Sequence, residues 1–346
     1  MLKKIKYFLL LIFLAGVMIF GYFISLDNQF KVVRQRQINA PANLVFRQIA
    51  DLKNWDKWAP WKEKDSTIQF EYPGSTNKEG DYFRFTDNRG KRQKLTNLTL
   101  TEDTMIVQSL ASNDQIQEFV WKIIPQKNGV KVIWTIEGEL PFWQRIYSRQ
   151  MEDMIGPTMT RGLELIEKNV HQDMNKHKTT ILKSVDLSST YYLYKTAGCK
   201  IDSIGKKMDK TLPEVLLYAI NHKIEMNGKP FVIYNKYDEE NNAVIFSTCV
   251  PTKEKTVVTD ADILTGETPG GHYLKIKYQG NYKFIREAWN LAYAYINSRD
   301  YMMIDDKRKT FEVYAVGHTK SLNPADWITY IYIPLIEVDK ELMNIQ

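Results

Sequence analysis

Cysteine is scarce: the 346 residues hold two, Cys199 and Cys249. That number excludes a disulfide-built scaffold and a metal centre of four thiolates, and neither cysteine sits in a C-x-x-C pair. A disulfide between the two stays open on sequence grounds if the body faces an oxidising space. Glycine and proline, at 17 and 12 residues, are too few for a collagen-like or low-complexity chain, and the charged share of 25% is ordinary. Excess charge is lacking as well. The formal net charge is +6, but Lys3, Lys4 and Lys6 precede an apolar run, and taking those three from 47 basic residues leaves 44 against 41 acidic ones. Such a balance argues against direct nucleic-acid binding. H-E-x-x-H, G-x-S-x-G and G-x-G-x-x-G are absent, and Gly198 to Lys207 lacks the spacing and the Ser/Thr of a phosphate loop. His171, His177, His222, His272 and His318 have no partners at metal-ligand spacing, so neither a metal nor a cofactor is expected. What is present is apolar: 44% of the chain, enough for two packed cores at ~100 to 200 residues per domain.

Tyr7 to Ser25 is an unbroken uncharged run, YFLLLIFLAGVMIFGYFIS, nearly long enough as a helix to cross a ~30 Å hydrocarbon core. The rival is a cleaved signal peptide, but Phe23, Ile24 and Leu26 occupy the exit where small residues belong. Residues 1–28 are therefore read as a tail and a transmembrane helix, with membrane contact through 7–25. Lys3, Lys4 and Lys6 nearly balance Lys31, Arg34 and Arg36 across the run. Three lysines and a terminal amine are nevertheless costly to translocate, which puts the N-terminus in the cytoplasm and the soluble domains outside it.

Phe30 to Ile38 reads as a strand, broken at Asn39-Ala40-Pro41 before a short helix carrying Leu44, Val45, Phe46 and Ile49. Trp55, Trp58 and Trp61 follow, and their expected role is packing of short helices. Alternating strands are predicted over 68–72, 80–86, 92–100, 104–109, 117–124 and 130–137. Asn88-Arg89-Gly90 and Lys127-Asn128-Gly129 are hairpin turns, and a meander is the economical topology. Met151, Ile155, Met159, Leu163, Ile166 and Val170 then mark one face of a long helix. Glu137, Glu139 and Glu152 belong on wet faces. INAPANLVFRQIADLKNWDKWAPW resembles the opening of the START-like (SRPBCC), polyketide-cyclase-related helix-grip domains. That likeness, over 29–170, implies an antiparallel sheet wrapped round the last helix and an apolar cavity for a hydrophobic small molecule.

Residues 171–178 read as a linker, 179–338 as a second domain and 339–346 as a tail. The second domain repeats itself: Tyr191 to Gly198 matches Tyr273 to Gly280, Phe231-Val-Ile-Tyr234 matches Phe311-Glu-Val-Tyr314, and Pro251 matches Pro334. Each copy reads strand, helix, strand, strand. The first helix carries Thr211 and Glu214 as a capping box with Pro213 in its first turn, then Val215, Leu216, Ala219 and Ile220 inward. The second turns Ile285, Ala288, Trp289, Ala292 and Ile296 inward. Two such units paired about a twofold leave a cleft along the axis.

The two copies, ending in RKTFEVYAVGHTKSLNPADWITYIYIPL, resemble the GyrI-like effector-binding domain of multidrug-responsive regulators. The whole chain is thus expected to be α+β, two domains behind one membrane helix. The resemblance implies an acidic residue in the cleft, matched here by Glu312, that neutralises an amphipathic, cationic ligand. The repeat singles out the same position, because its counterpart is Val232. Tyr314 shares Glu312's face of the strand. Trp289, Tyr293, Trp327, Tyr330 and Tyr332 are the expected aromatic walls. Small-molecule binding is the leading reading. A hydrolase using Glu312 as acid or base with Tyr314 orienting is the alternative, and an envelope protein with filled cavities is the third.

Overall fold

One proline fixes the start of the first globular part. Pro41, whose φ is set near −60°, ends strand β1 (Gln29–Ile38) and opens helix α2 (Ala42–Ala50). Before them lies helix α1 (Leu2–Ser25), of which Ile5–Ser25 is long and apolar enough to cross a membrane. The computed structural model describes residues 2–87, 90–112, 115–259 and 261–336. The chain divides into two compact units, Met1–Asp173 and Met174–Gln346.

In the first unit α2 leads to the short helices α3 (Trp55–Trp58) and α4 (Pro60–Lys64). Strands β2 (Tyr82–Thr86), β3 (Arg92–Thr101), β4 (Met105–Ser112), β5 (Gln115–Gln126) and β6 (Gly129–Glu139) follow, then a 3-10 segment (Phe142–Gln150) and helix α5 (Met151–Met174). The curled antiparallel sheet runs β1-β6-β5-β4-β3-β2, so the expected meander holds, with β1 added beyond β6. The β5–β6 turn needs Gly129, which sits at φ +105° with Ile38 O 2.2 Å from where a Cβ would stand. The turn expected at Asn88-Arg89 lies outside the described residues.

Tryptophan fills the interior. Trp55, Trp58, Trp121 and Trp134 are all buried, and Trp121 stacks on Trp134 at 4.1 Å. Trp55 and Trp58 donate their indole N–H to the Ile49 and Gln48 carbonyls, which pins α3 beneath α2. Trp61 is half-buried against Phe85. From α5, Met159, Leu163, Ile166 and Val170 are buried, as their spacing predicts, while Ile155 is half-buried.

Two expectations fail here. Residues 68–72 form no strand: only Glu71 bridges Arg84, because Pro73-Gly74 turns the chain away while Phe70 and Tyr72 pack on Phe83. The linker is also shorter than 171–178, because α5 continues to Met174 and the next strand starts at Lys178. Gln48 of α2 donates to Asp173 at 2.5 Å and holds that last polar turn in place.

The second unit contains β7 (Lys178–Leu187), β8 (Thr190–Lys200), α6 (Ile204–Asn221), β9 (Phe231–Asp238) and β10 (Ala243–Thr252). Then come β11 (Leu264–Thr268), β12 (Gly271–Gln279), α7 (Ile285–Asn297), the two-residue β13 (Met303–Ile304), β14 (Phe311–Val316) and β15 (Ile328–Ile336). The copies are β8-α6-β9-β10 and β12-α7-β14-β15, in the expected order. Their sheet runs β11-β8-β10-β9-β14-β15-β12-β7, which is symmetric about the β9–β14 pair. The strand leading each copy pairs with the other copy: β7 with β12, and β11 with β8.

The capping box does not exist. Helix α6 starts seven residues before Thr211, whose hydroxyl donates back to the Lys207 carbonyl, and Pro213 lies inside the helix. Lys206, Lys207 and Lys210 are good helix formers and carry the extra turns. Val215 and Ala219 are buried and Leu216 is half-buried, but Ile220 faces solvent.

Candidate binding site

Strand alternation on β14 sends Phe311 and Val313 to one face and Glu312 and Tyr314 to the other. On the first face Phe311 stacks on Tyr332 at 4.8 Å and packs with Phe231 and Tyr273. On the second face Glu312 stands opposite its own repeat counterpart, Val232, at the centre of the sheet.

Glu312 has no exposed surface. Oε1 accepts from Trp289 Nε1 at 2.6 Å, and Oε2 accepts from Tyr314 Oη at 2.6 Å and Tyr234 Oη at 3.0 Å. All three donors are neutral. Burial pushes the carboxyl above its ordinary value of 4.5, and the hydrogen bonds from Tyr314, Trp289 and Tyr234 only partly oppose that. The Tyr234 and Tyr314 phenols are driven well above 10, by burial first and by the neighbouring carboxylate second.

The second copy's helix supplies Trp289, whose ring meets Tyr234 edge-on at 6.3 Å. The first copy's helix supplies Met208, whose sulfur lies 3.8 Å from Tyr314 Oη. Tyr282 stands edge-on to Tyr314 at 5.3 Å and packs on Trp327 at 4.7 Å. Tyr293 lies behind Trp289, their rings roughly parallel at 5.9 Å. Trp289 and Tyr314 thus touch Glu312, while Trp327 and Tyr293 form an outer layer.

Tyr330 and Tyr332 are not brought to this site. They lie on the opposite face of β15, where Lys275 Nζ covers Tyr330 at 4.5 Å and Tyr332 at 5.6 Å. Their register explains it: Ile331, not its neighbours, faces Glu312 across the ladder. Sequence reasoning passed over three residues. Tyr234 could have been found, since the repeat aligns it with Tyr314. Tyr282 and Thr329 left no such signal. Thr329 stands opposite Tyr314 on the same face, and its buried hydroxyl finds no partner among the described residues.

Both cysteines are free. Their ladder positions, Cys199 opposite Val244 and Cys249 opposite Tyr194, are five residues apart, or ~17 Å along the strand. They also face opposite sides of the sheet, so the disulfide left open by the sequence does not form. His177 and His272 pair with Glu287 and Asp186, and among the described residues no cluster of His, Cys, Asp and Glu could hold a metal.

No curated protein matches the chain. Among solved structures it is similar to the C-terminal domain of EcmrR, at 16% identity and TM-score 0.40, over 47% of this chain and 99% of that one. EcmrR in a DNA complex gives 14% and 0.40 over 57% and 71%. Protein CV1439 of Chromobacterium violaceum gives 15% and 0.32 over 40% and 96%. Residues 185–336 match the GyrI-like small molecule binding domain, so the second unit carries a domain of that family.

Proposed function

We propose that the protein is a membrane-anchored small-molecule receptor whose second unit takes up an amphipathic cation at Glu312. The observation that carries this reading is a carboxyl with no exposed surface, held by three neutral donors and, among the described residues, no cation. An ionised carboxylate in such a place is costly unless a positive charge joins it. A ligand cation supplies that charge, and the rings of Trp289, Tyr234 and Tyr314 add ~0.5 to 2 kcal/mol each where they face it. Because the carboxyl's pKa is raised, part of the binding is exchange of a proton for the ligand, so affinity rises with pH.

Titration of the full chain with tetraphenylphosphonium tests this. Tight binding by the wild type and loss of it in Glu312→Gln is the expected result; equal affinity in both would sink the charge-selection step. A second reading, hydrolysis, is favoured by one feature: a carboxyl with a raised pKa set between two phenols suits a general acid. Turnover of an ester panel that disappears in Glu312→Ala would decide for it.

The first unit we read as a START-like helix-grip domain for an apolar ligand. Support comes from its order of strand, short helices, meander and long helix around a curled sheet. A groove of about 800 Å³ opens beside the ends of β2 to β5, lined by Phe85 and Ile116 together with the polar Arg84, Arg92, Lys94 and Gln115. We place α1 across the membrane with its N-terminus in the cytoplasm.

A further inference from the structure

The segment Phe142–Gln150 buries none of its residues, yet it is rich in large apolar side chains. Trp143 is 67% exposed, Ile146 47% and Tyr147 48%, and Met154, two turns beyond Tyr147, is 59% exposed. Nothing in the protein core explains this face. Phe142 turns the other way and packs its ring 5.3 Å from both Phe20 and Phe23 of α1.

The contact fixes a depth. The 21 residues Ile5–Ser25 span ~31 Å as a helix, which matches a ~30 Å hydrocarbon core. Phe23 and Phe20 therefore stand ~3 and ~8 Å inside its exit end, which brings Phe142 up to the border of acyl chains and headgroups. We propose that Phe142–Gln150 is an interfacial docking segment, with Trp143, Ile146 and Tyr147 seated in the lipid headgroup layer where α1 leaves the bilayer. The inference rests on the membrane-anchor reading above.

The composition suits that layer and no deeper one. Trp and Tyr concentrate at membrane interfaces because an apolar ring and a polar edge meet opposite needs there. Arg145 lies over the Phe142 ring at 5.6 Å, and the exposed Arg149 can keep its head among headgroups while its stem covers apolar surface. A soluble partner protein would offer no reason for this face to lie beside the end of a spanning helix. A bilayer does.

The test uses the full chain in phosphatidylcholine–phosphatidylglycerol nanodiscs, with Cys199→Ser and one environment-sensitive fluorophore per protein. The label is carried on Val17→Cys in α1, on Ile146→Cys, or on Lys127→Cys at the β5–β6 turn, which is the far end of β5 from Gln115. Lipids brominated near the headgroup should lower Ile146 emission on the order of twofold, as for a group ~5 to 10 Å below the surface. Lipids brominated near the chain end should quench Val17 most, and neither should quench Lys127. Quenching at Val17 with Ile146 as unaffected as Lys127 overturns the docking segment and leaves the anchor standing. No quenching at Val17 overturns the anchor and the segment together. Equal quenching at Ile146 and Lys127 also overturns the segment, since the contact would then be non-specific.

Discussion

The two copies of the second unit are the same fold with one polar exchange at their shared seam. Tyr234 and Tyr314 occupy equivalent places and reach the same carboxylate oxygen. Around them the match is broken: Glu312 faces Val232, and Trp289 on one helix answers Met208 on the other. The sheet tolerates valine at that position, so packing does not require the acid. Symmetry delivers two phenols to one point, and a departure from symmetry gives them something to hold.

Glu312→Val makes the copies alike and strands three donors. A unit charge pair ~5 Å apart at an effective dielectric of ~20 is worth ~3 kcal/mol, so loss of the ligand's charged partner should weaken tetraphenylphosphonium binding on the order of a hundredfold by calorimetry. Exchanging the pair, Glu312→Val with Val232→Glu, sharpens the comparison. Binding should return only in part, because Met208 cannot donate as Trp289 does. Full recovery would show that the indole N–H is immaterial.

A smaller effect appears with pH. Above 4.5 an unfolded chain ionises this glutamate while the folded one keeps its proton, so the folded state binds more protons. Its contribution to stability is complete below that value and is lost as pH rises through the higher folded pKa. Melting temperature without ligand should therefore fall over that window in the wild type, and the fall should be shallower in Glu312→Gln. Tyr314→Phe and Tyr234→Phe should each cost about 1 kcal/mol in denaturant unfolding, with Tyr314 the larger because its bond is shorter. The smallest change is expected from Tyr330→Phe and Tyr332→Phe, which lie across the sheet; a tenfold loss of cation affinity in either would contradict the face assignment.

Much of this was legible in the sequence, and the failures have physical causes. The repeat predicts both strand–helix–strand–strand units because equivalent cores demand equivalent apolar residues. Glu312 and Tyr314 share a face simply by strand parity. On β15 the same parity shows only that Tyr330 and Tyr332 share a face; the ladder, which sets Ile331 opposite Glu312, puts that face on the other side of the sheet. The start of α6 was missed because Thr211-Leu-Pro-Glu214 imitates a capping box, although Ile204, Met208 and Leu212 carry the apolar stripe seven residues further back. Thr329 could not be picked out, because only pairing across the ladder brings it to Tyr314. Trp55 and Trp58 followed expectation as core residues, for aromatic rings at helical spacing beside a sheet have few other places to go.

The crossed lead strands have a mechanical consequence. With β7 sewn to the second copy and β11 to the first, the halves are fastened at both outer rims of the sheet, although only three residue pairs join them at β9–β14. Prising the repeats apart like a book would unzip a strand on each side. A guest that reached Glu312 as proposed would then have to displace side chains of α6 and α7, such as Met208 and Trp289, rather than part the strands beneath them.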